Sequence, residues 1–270
     1  MYKAVFIDID GTLIKSDHSI SPLTIATIAR LREKGILVVL VSARPLHGIT
    51  AIAQEVGLSD APIASLNGGY IVHGSDILFE SSINASTAGK LYEQLTAYKV
   101  TLIWYQQQKW FAELSNQQVE KEQKITSVPI IIEPFRQTLN GWQLANTGPN
   151  KILIIGDVAE ISAIQNKLQP LYRNELNLYT SKPIYLEVMN LPASKTNAIK
   201  FLISTYGINR EETIAIGDNF NDKEMIEFAG LGVAMGNAPD EVKAAADFVT
   251  DTNNNDGVRK ALEKLFNLTA

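Results

Sequence analysis

The sequence contains no cysteine and only three histidines in 270 residues. The lack of cysteine excludes disulfide bonds and thiolate metal sites, and so few histidines argue against a histidine-rich zinc site. No apolar run approaches the roughly 18 residues that span a bilayer. No basic segment with a long apolar stretch precedes the first predicted strand. We therefore expect a cytoplasmic protein without a membrane partner.

Positive charge is also scarce. The chain has 24 lysines and arginines against 29 aspartates and glutamates, which gives a net charge of −5. Nucleic-acid binding favours basic surfaces, so we expect no nucleic-acid partner. The apolar fraction of 46% is ordinary for a globular protein, and the length allows one large or two modest domains. No feature of the sequence indicates the oligomeric state.

Strands and helices alternate at the start of the chain. Residues 3–9, 36–41 and 62–66 are short apolar runs typical of buried strands. Ser21 and Pro22 suit the N-cap and first turn of a helix between the first two runs. This β-α-β-α-β order predicts an α/β fold with a doubly wound parallel sheet.

The alternation stops near residue 82 and resumes near 188. We therefore predict one α/β core made of residues 1–82 and 188–270, with an inserted α+β domain at 83–187 that is large enough to fold as its own unit. Aromatic residues alternate in two predicted strands of the insertion, which favours core packing but leaves a substrate-facing wall open: Trp104, Tyr105, Trp110 and Phe111.

Carboxylates follow two of the predicted core strands. Asp8 and Asp10 end the first strand, and Asp218 and Asp222 follow the strand at 213–216. The carboxyl ends of parallel strands meet at one edge of a sheet, where open α/β folds place their sites. Several carboxylates there would repel one another without a cation, and oxygen ligands suit Mg²⁺. These positions therefore indicate a metal site for phosphate chemistry, with solvated turns and helix caps as the alternative.

Asp8 and Asp10 lie two positions apart, so they face the same way in an extended segment. At its ordinary pKa of about 3.9, Asp8 would be ionised at neutral pH, and carboxylates do form covalent phosphoryl intermediates. Gly11 permits a sharp turn or the close approach of a phosphate.

Other polar residues at element ends have two interpretations each. Ser42 is either a phosphate ligand or the N-cap of the next helix, and Arg44 is either an ion-pair partner or a substrate contact. Lys195 stands at a helix start, against the helix dipole; it either neutralises transition-state charge or is a solvated surface lysine. Asn67 and Gly68 favour a hairpin turn, with substrate binding as the alternative.

In their order along the chain, these segments resemble the haloacid dehalogenase-like superfamily, and specifically its Cof-type phosphatases. The resemblance rests on Asp8-x-Asp10-Gly-Thr, on Ser42, on Lys195 and on Gly217-Asp218-x-x-Asn221-Asp222. It covers the core nearly end to end, and the insertion has the position and size of the family's large αβ cap.

The resemblance implies distinct roles. Asp8 would be the nucleophile and a Mg²⁺ ligand, and Asp10 the general acid and base that also binds the metal through its backbone carbonyl. Asp218 would complete the metal site, with Asp222 in support. Phosphate would be held by side chains and by backbone N–H groups: Ile9, Ser42, Ala43, Lys195 and Asn221.

Two positions depart from the family pattern. Ala43 replaces the usual glycine after the hydroxyl residue, which would be strained if that position needs a positive φ. Pro192 replaces a glycine that often stands three residues before the lysine.

The functional hypothesis is Mg²⁺-dependent hydrolysis of a small phosphorylated metabolite through an aspartyl-phosphate, with sugar phosphates among the candidate substrates. A hexose phosphate phosphomutase shares the first step and is the nearest alternative. A non-catalytic metabolite sensor on the same fold is the alternative from another class.

Overall fold

The computed structural model describes residues 1–126 and 128–268. Within these ranges, no helix is both long enough and apolar enough to cross a membrane.

The chain divides into two compact units. The first contains residues 1–44 and 48–78 and the chain from Ser194 onward; the second contains residues 45–47 and 79–193. The sequence predicts the two crossings near 82 and 188, and the main divisions in the structure fall after Leu78 and after Ala193.

The first part of the chain alternates strands and helices, in the order β1 (Ala4–Ile7), α1 (Pro22–Glu33), β2 (Leu37–Val41), α2 (Leu46–Glu55), β3 (Ile63–Ser65), β4 (Tyr70–His73) and β5 (Asp76–Glu80). The predicted N-cap of α1 is confirmed, because the Ser21 hydroxyl accepts the N–H of Thr24 at 3.2 Å. The helix ends before Gly35, whose φ of 75° suits glycine.

The middle of the chain continues with α3 (Ala85–Leu95), β6 (Thr101–Gln106), β7 (Lys109–Ala112), α4 (Gln117–Thr126), β8 (Ile130–Ile132), α5 (Phe135–Leu144), β9 (Lys151–Ile155), α6 (Val158–Tyr172), β10 (Leu176–Lys182) and β11 (Tyr185–Asn190). Its six strands form a mostly antiparallel sheet in the order β10-β11-β9-β6-β7-β8.

Aromatic side chains fill the core of this second unit. Trp104 is fully buried and stacks on Phe135, with ring centroids 3.8 Å apart. Tyr105 and Trp110 pack together against the opposite face of the sheet. The core interpretation of these residues is confirmed: Trp104, Tyr105, Trp110 and Phe111 are each at most 7% exposed.

The last part of the chain returns to the first unit with α7 (Lys195–Tyr206), β12 (Thr213–Gly217), α8 (Lys223–Phe228), β13 (Leu231–Ala234), α9 (Asp240–Ala244), β14 (Phe248–Val249) and α10 (Gly257–Leu265). The sheet order is β14-β13-β12-β1-β2-β3-β4-β5. All pairings from β14 through β3 are parallel, which confirms the predicted α/β class.

This order places the carboxyl ends of six adjacent parallel strands along one edge of the sheet. Asp218 follows β12, Asp8 follows β1 and Ser42 follows β2. The fold therefore brings together residues that lie far apart in the sequence, because β1 is the strand between β12 and β2.

Candidate active site

Three carboxylates converge at this edge. The N–H of Asp8 donates to Ile216 O at 3.0 Å, so the β1–β12 pairing extends to the site itself. Asp8, Asp218 and Asp222 each offer a carboxylate oxygen, and these oxygens lie within 4.8 Å of one another. A group of oxygen ligands this close suits a hard divalent cation such as Mg²⁺.

Lys195 lies buried between two of these carboxylates. It is the first residue of α7, and its Nζ donates to Asp8 Oδ1 at 2.5 Å and to Asp222 Oδ1. Burial alone would lower the pKa of Lys195, but Asp222 and Asp8 raise it above its ordinary value. The interpretation of Lys195 as a solvated surface lysine is therefore wrong. Two carboxylates offset its unfavourable position at the helix start.

Burial changes the acid–base behaviour of the carboxylates. It raises the pKa of Asp8 to about 8, and the charge of Asp222 adds to the rise, which Lys195 only partly offsets. Burial and Asp222 likewise raise the pKa of Asp218 to about 6. The expectation of an ordinary pKa for Asp8 is therefore wrong for the metal-free chain. One ammonium does not balance three carboxylates in a buried site.

Asp222 organises the loop that carries Asp218. Its Oδ2 accepts the backbone N–H groups of Asp218 and Asn219, both at 3.0 Å, while its Oδ1 accepts from Lys195. Asp222 stands at the N-cap position of α8, but its side chain makes no capping hydrogen bond to that helix. The capping interpretation of Asp222 is therefore wrong, because the carboxylate turns back toward Asp218.

Asp10 pairs with an arginine instead of joining the group of Asp8, Asp218 and Asp222. Its carboxylate forms a bidentate pair with Arg44, with Nη2–Oδ1 at 2.6 Å and Nε–Oδ2 at 2.7 Å. The hydrogen bond with Asp10 raises the pKa of Arg44, although burial opposes the rise. The Asp10 side chain is 54% exposed, so it can leave this pair without crossing a packed core.

The loop after β2 presents Ser42 and Ala43. Ser42 is buried, and its hydroxyl oxygen accepts the N–H of Arg44 at 3.1 Å. Because α2 begins only at Leu46, the interpretation of Ser42 as its N-cap is wrong. Ala43 is not among the described residues with positive φ, so alanine causes no left-handed strain there.

Two backbone donors in these loops are available. Within residues 1–126 and 128–268, the N–H groups of Ile9 and Ala43 have no hydrogen-bond acceptor. Ile9 is buried and Ala43 half-buried, and buried backbone donors are usually paired, so these two N–H groups suit a ligand oxygen.

The loop after β3 has an unusual backbone. Leu66, Asn67 and Gly68 have φ values of 50°, 52° and 83°, and such left-handed runs cluster at functional sites. Asn67 is buried and accepts from Asn221 Nδ2 at 3.2 Å. A Cβ on Gly68 would lie 2.6 Å from the Ser194 carbonyl oxygen, so only glycine lets this loop pack on the start of α7.

Sequence reasoning missed two residues that hold Asp218. Thr12 Oγ1 donates to Asp218 Oδ1 at 3.1 Å, and Asn237 Nδ2 donates to Asp218 Oδ2 at 3.2 Å. Asn237 follows β13, the neighbour of β12, so a polar residue after a buried strand was the available signal. Gly11 has a φ of 80°, and a Cβ there would overlap the Asp218 carboxylate.

Comparisons with known proteins agree on one family. The family model for haloacid dehalogenase-like hydrolases matches residues 5–262. A relative from Haemophilus influenzae is 36% identical, over 98% of this chain and 99% of its own length. The Bacillus subtilis 5-amino-6-(5-phospho-D-ribitylamino)uracil phosphatase YcsE is 31% identical, over 96% of this chain and 94% of its own length.

Solved structures give the same result. A haloacid dehalogenase-like hydrolase from Bacteroides thetaiotaomicron has a TM-score of 0.86 at 34% identity, covering 98% of this chain and 100% of its own. A sugar phosphatase of HAD subclass IIB has a TM-score of 0.83 at 27% identity, covering 99% of this chain and 100% of its own. As its motifs predict, the chain is an enzyme that belongs to the haloacid dehalogenase-like hydrolase family.

Proposed function

We propose that this enzyme hydrolyses small phosphomonoesters in a Mg²⁺-dependent reaction that passes through an aspartyl-phosphate on Asp8. The observation that carries the proposal is the group of Asp8, Asp218 and Asp222, of which Asp8 and Asp222 are buried and pair with Lys195. Three carboxylates around one ammonium leave an excess of negative charge, which favours the binding of a cation and, with it, a phosphate.

The side chains at the site fit Mg²⁺. The carboxylates of Asp8 and Asp218 would hold it together with the backbone carbonyl of Asp10. Asp222 would serve as support, since Lys195 and two backbone N–H groups already occupy its oxygens. When bound, Mg²⁺ would neutralise charge on the phosphoryl oxygens and keep Asp8 ionised.

Phosphate binding would use donors that surround Asp8. The Lys195 ammonium, the Ser42 hydroxyl and the N–H groups of Ile9 and Ala43 would bind the non-bridging oxygens, with the Asn221 amide in support. Such preorganised donors stabilise the charge of a phosphoryl-transfer transition state.

The chemistry would proceed in two displacements. An Asp8 oxygen attacks phosphorus while Asp10 donates a proton to the departing ester oxygen, which releases the alcohol. Asp10, now a carboxylate, takes a proton from water as the water oxygen attacks phosphorus. This step releases phosphate and restores both aspartates. Asp10 must leave Arg44 and take up a proton from solvent to act as the acid, so we assign Arg44 the role of holding the Asp10 carboxylate between turnovers.

The second unit, which has the position and size of the cap in the family that the sequence resembles, would select the substrate. The sugar phosphatase and the ribitylamino-uracil phosphatase among the similar proteins support a phosphorylated sugar or sugar derivative. Asn67 and Gly68 stay as candidate substrate contacts, and the cytoplasm stays the predicted location.

A substrate panel tests the proposal. Wild-type protein and Asp8→Asn are assayed with Mg²⁺ against phosphorylated sugars, sugar derivatives and nucleotides. We expect phosphate release by the wild type alone, with a loss on the order of 10⁴-fold or more in the variant, the scale seen when a covalent nucleophile is removed. Equal turnover by both proteins would contradict the assignment of Asp8.

Two further outcomes would identify the alternatives. Conversion of a hexose 1-phosphate to its 6-phosphate would indicate a phosphomutase. Tight binding of a metabolite without turnover would indicate a sensor.

A further inference from the structure

The amide of Asn237 has a fixed orientation beside the acidic cluster. Its Oδ1 accepts the backbone N–H of Asn253 at 3.0 Å. A backbone N–H can only donate, so the atom that faces it must be the amide oxygen. The amide nitrogen therefore points the other way, toward Gly11 and Asp218.

On that side the amide nitrogen meets two acceptors. Asn237 Nδ2 lies 2.9 Å from the Gly11 carbonyl oxygen and 3.2 Å from Asp218 Oδ2. It thus joins the loop after β1 to the loop after β12, which carry the first and last members of the acidic cluster. Asn253, which orients the amide, is itself anchored, since its Nδ2 donates to Ile14 O at 2.9 Å.

The two neutral donors on Asp218 complement each other. Thr12 occupies Oδ1 and Asn237 occupies Oδ2, so each carboxylate oxygen keeps a lone pair for a cation. An ammonium in the place of Asn237 would neutralise the carboxylate and compete with the metal. The neutral amide of Asn237 fixes the rotation of the Asp218 carboxylate and leaves the negative charge of that carboxylate intact.

We infer that Asn237 is a positioning residue for the metal site: it orients Asp218 toward the cation and ties that carboxylate to the Asp8–Gly11 loop. The inference rests on the proposed function, because it assumes that Asp218 binds Mg²⁺. Partners that orient a metal-binding carboxylate typically change metal affinity by about 10-fold to 100-fold when removed.

The test compares Asn237→Ala with Asn254→Ala. Asn254 also ties a loop to the start of the chain, through Ser16 N and Ser16 Oγ, both at 3.0 Å, but no hydrogen bond joins it to Asp218 in the described chain. Both side chains are exposed, so both variants should fold.

The first readout is the Mg²⁺ concentration that half-saturates the rise in melting temperature, since a ligand stabilises the state it binds. The second is the Mg²⁺ dependence of p-nitrophenyl phosphate hydrolysis.

We expect Asn237→Ala to raise the half-saturating Mg²⁺ concentration by about 10-fold or more, with kcat recovering at saturating Mg²⁺ and little change in the melting temperature without metal. Thr12→Val, which removes the other donor to Asp218, should weaken Mg²⁺ binding in the same way. Asn254→Ala should match the wild type.

Unchanged Mg²⁺ affinity in Asn237→Ala would overturn the inference, as would an equal loss in Asn254→Ala. These results are distinct from failure of the proposed function, which would show as wild-type protein that neither responds to Mg²⁺ nor hydrolyses phosphomonoesters.

Discussion

Each unit of the chain buries a lysine against carboxylates, but the two arrangements differ. In the first unit, Lys195 contacts both Asp8 and Asp222, and Asp218 lies nearby. In the second unit, Lys151 pairs with Glu187, with Nζ 3.4 Å from Glu187 Oε2. The first group has more negative than positive charge, whereas the Lys151–Glu187 pair has one charge of each sign.

Neighbouring side chains contact both members of the Lys151–Glu187 pair. Lys151 Nζ lies 4.5 Å from the centroid of the Tyr105 ring, and the Ser181 hydroxyl donates to Glu187 Oε1 at 2.9 Å. In contrast, the pKa of Asp8 rises to about 8 because burial and Asp222 outweigh Lys195. The difference teaches that a buried lysine alone does not mark an active site. The active site is identified by an excess of carboxylate charge that no side chain of the site balances.

The largest effect should come from removing each lysine. Lys195→Met leaves two buried carboxylates without a cation, so we expect the first unit to lose about 3–5 kcal/mol of unfolding free energy, with activity falling about 10²–10³-fold. Lys151→Met leaves one carboxylate, Glu187, that still accepts a hydrogen bond from Ser181, so we expect the second unit to lose only about 1–3 kcal/mol of unfolding free energy.

Urea unfolding can separate these two effects. The three tryptophans, Trp104, Trp110 and Trp142, all lie in the second unit, so tryptophan fluorescence follows that unit while far-ultraviolet circular dichroism follows both. A larger loss in Lys151→Met than in Lys195→Met would contradict the comparison.

Gly11→Ala should cause a smaller loss of unfolding free energy than Lys195→Met. A left-handed backbone costs a residue with a side chain about 1–2 kcal/mol, and the new Cβ would overlap the Asp218 carboxylate. Mg²⁺ affinity should fall together with stability, because Asp218 must move. Gly35→Ala is the matched control: Gly35 has a φ of 75° with no atom within 4 Å of the added Cβ. A fall in Mg²⁺ affinity in both variants would contradict a specific contact with Asp218.

The pH dependence of stability should show the unbalanced charge. Without metal, the folded chain holds a proton on Asp8 up to about pH 8, whereas the unfolded chain releases it near pH 4. The folded state thus binds more protons between these values, so the unfolding free energy should fall as the pH rises through this window. Mg²⁺ should stabilise the protein more at pH 8 than at pH 6.

Circular-dichroism melts of wild type and Asp8→Asn, with and without Mg²⁺, check this prediction. The variant should lose the pH dependence between about pH 6 and pH 8, whereas Asp218, whose pKa is raised to about 6, should still contribute below pH 6. If the variant kept the wild-type slope, another group would be responsible.

The smallest effect should come from replacing the whole pair in the second unit. Lys151→Met combined with Glu187→Met removes both charges of the pair, and such replacements of buried ion pairs are often neutral or stabilising. We expect the fluorescence-detected unfolding free energy to stay at the wild-type value or rise. A loss as large as that of Lys151→Met alone would show that the pair itself stabilises the unit.

The sequence predicts the site better where a strand directly carries it. Asp8 and Asp218 follow buried apolar strands, so alternation and the rule for parallel sheets place them together. The role of Lys195 is harder to predict. The sequence shows only that a lysine stands at a helix start, where the helix dipole disfavours it. Its burial against Asp222 depends on tertiary packing. The Arg44–Asp10 pair and the Asn237 amide depend on side-chain directions in loops, which no periodic pattern encodes.

The insertion is less predictable for another reason. The polar stretch 116–150 lacks a clear period, yet it forms α4, β8 and α5. In these segments, a few apolar residues such as Phe135 and Trp142 anchor the element while its other positions are polar. Tertiary contact therefore decides the structure there more than local pattern does.

The central claim is that Asp8 becomes phosphorylated, and Asp10→Asn tests it most directly. With p-nitrophenyl phosphate, whose leaving group departs without a proton, the first displacement should proceed while the water step slows. We predict a burst of nitrophenolate and, after acid quenching in the presence of Mg²⁺, a phosphoryl adduct on the peptide that contains Asp8, detected by mass spectrometry. The claim would be contradicted if the wild-type protein hydrolysed the substrate but Asp10→Asn formed no adduct, or formed one on a residue other than Asp8.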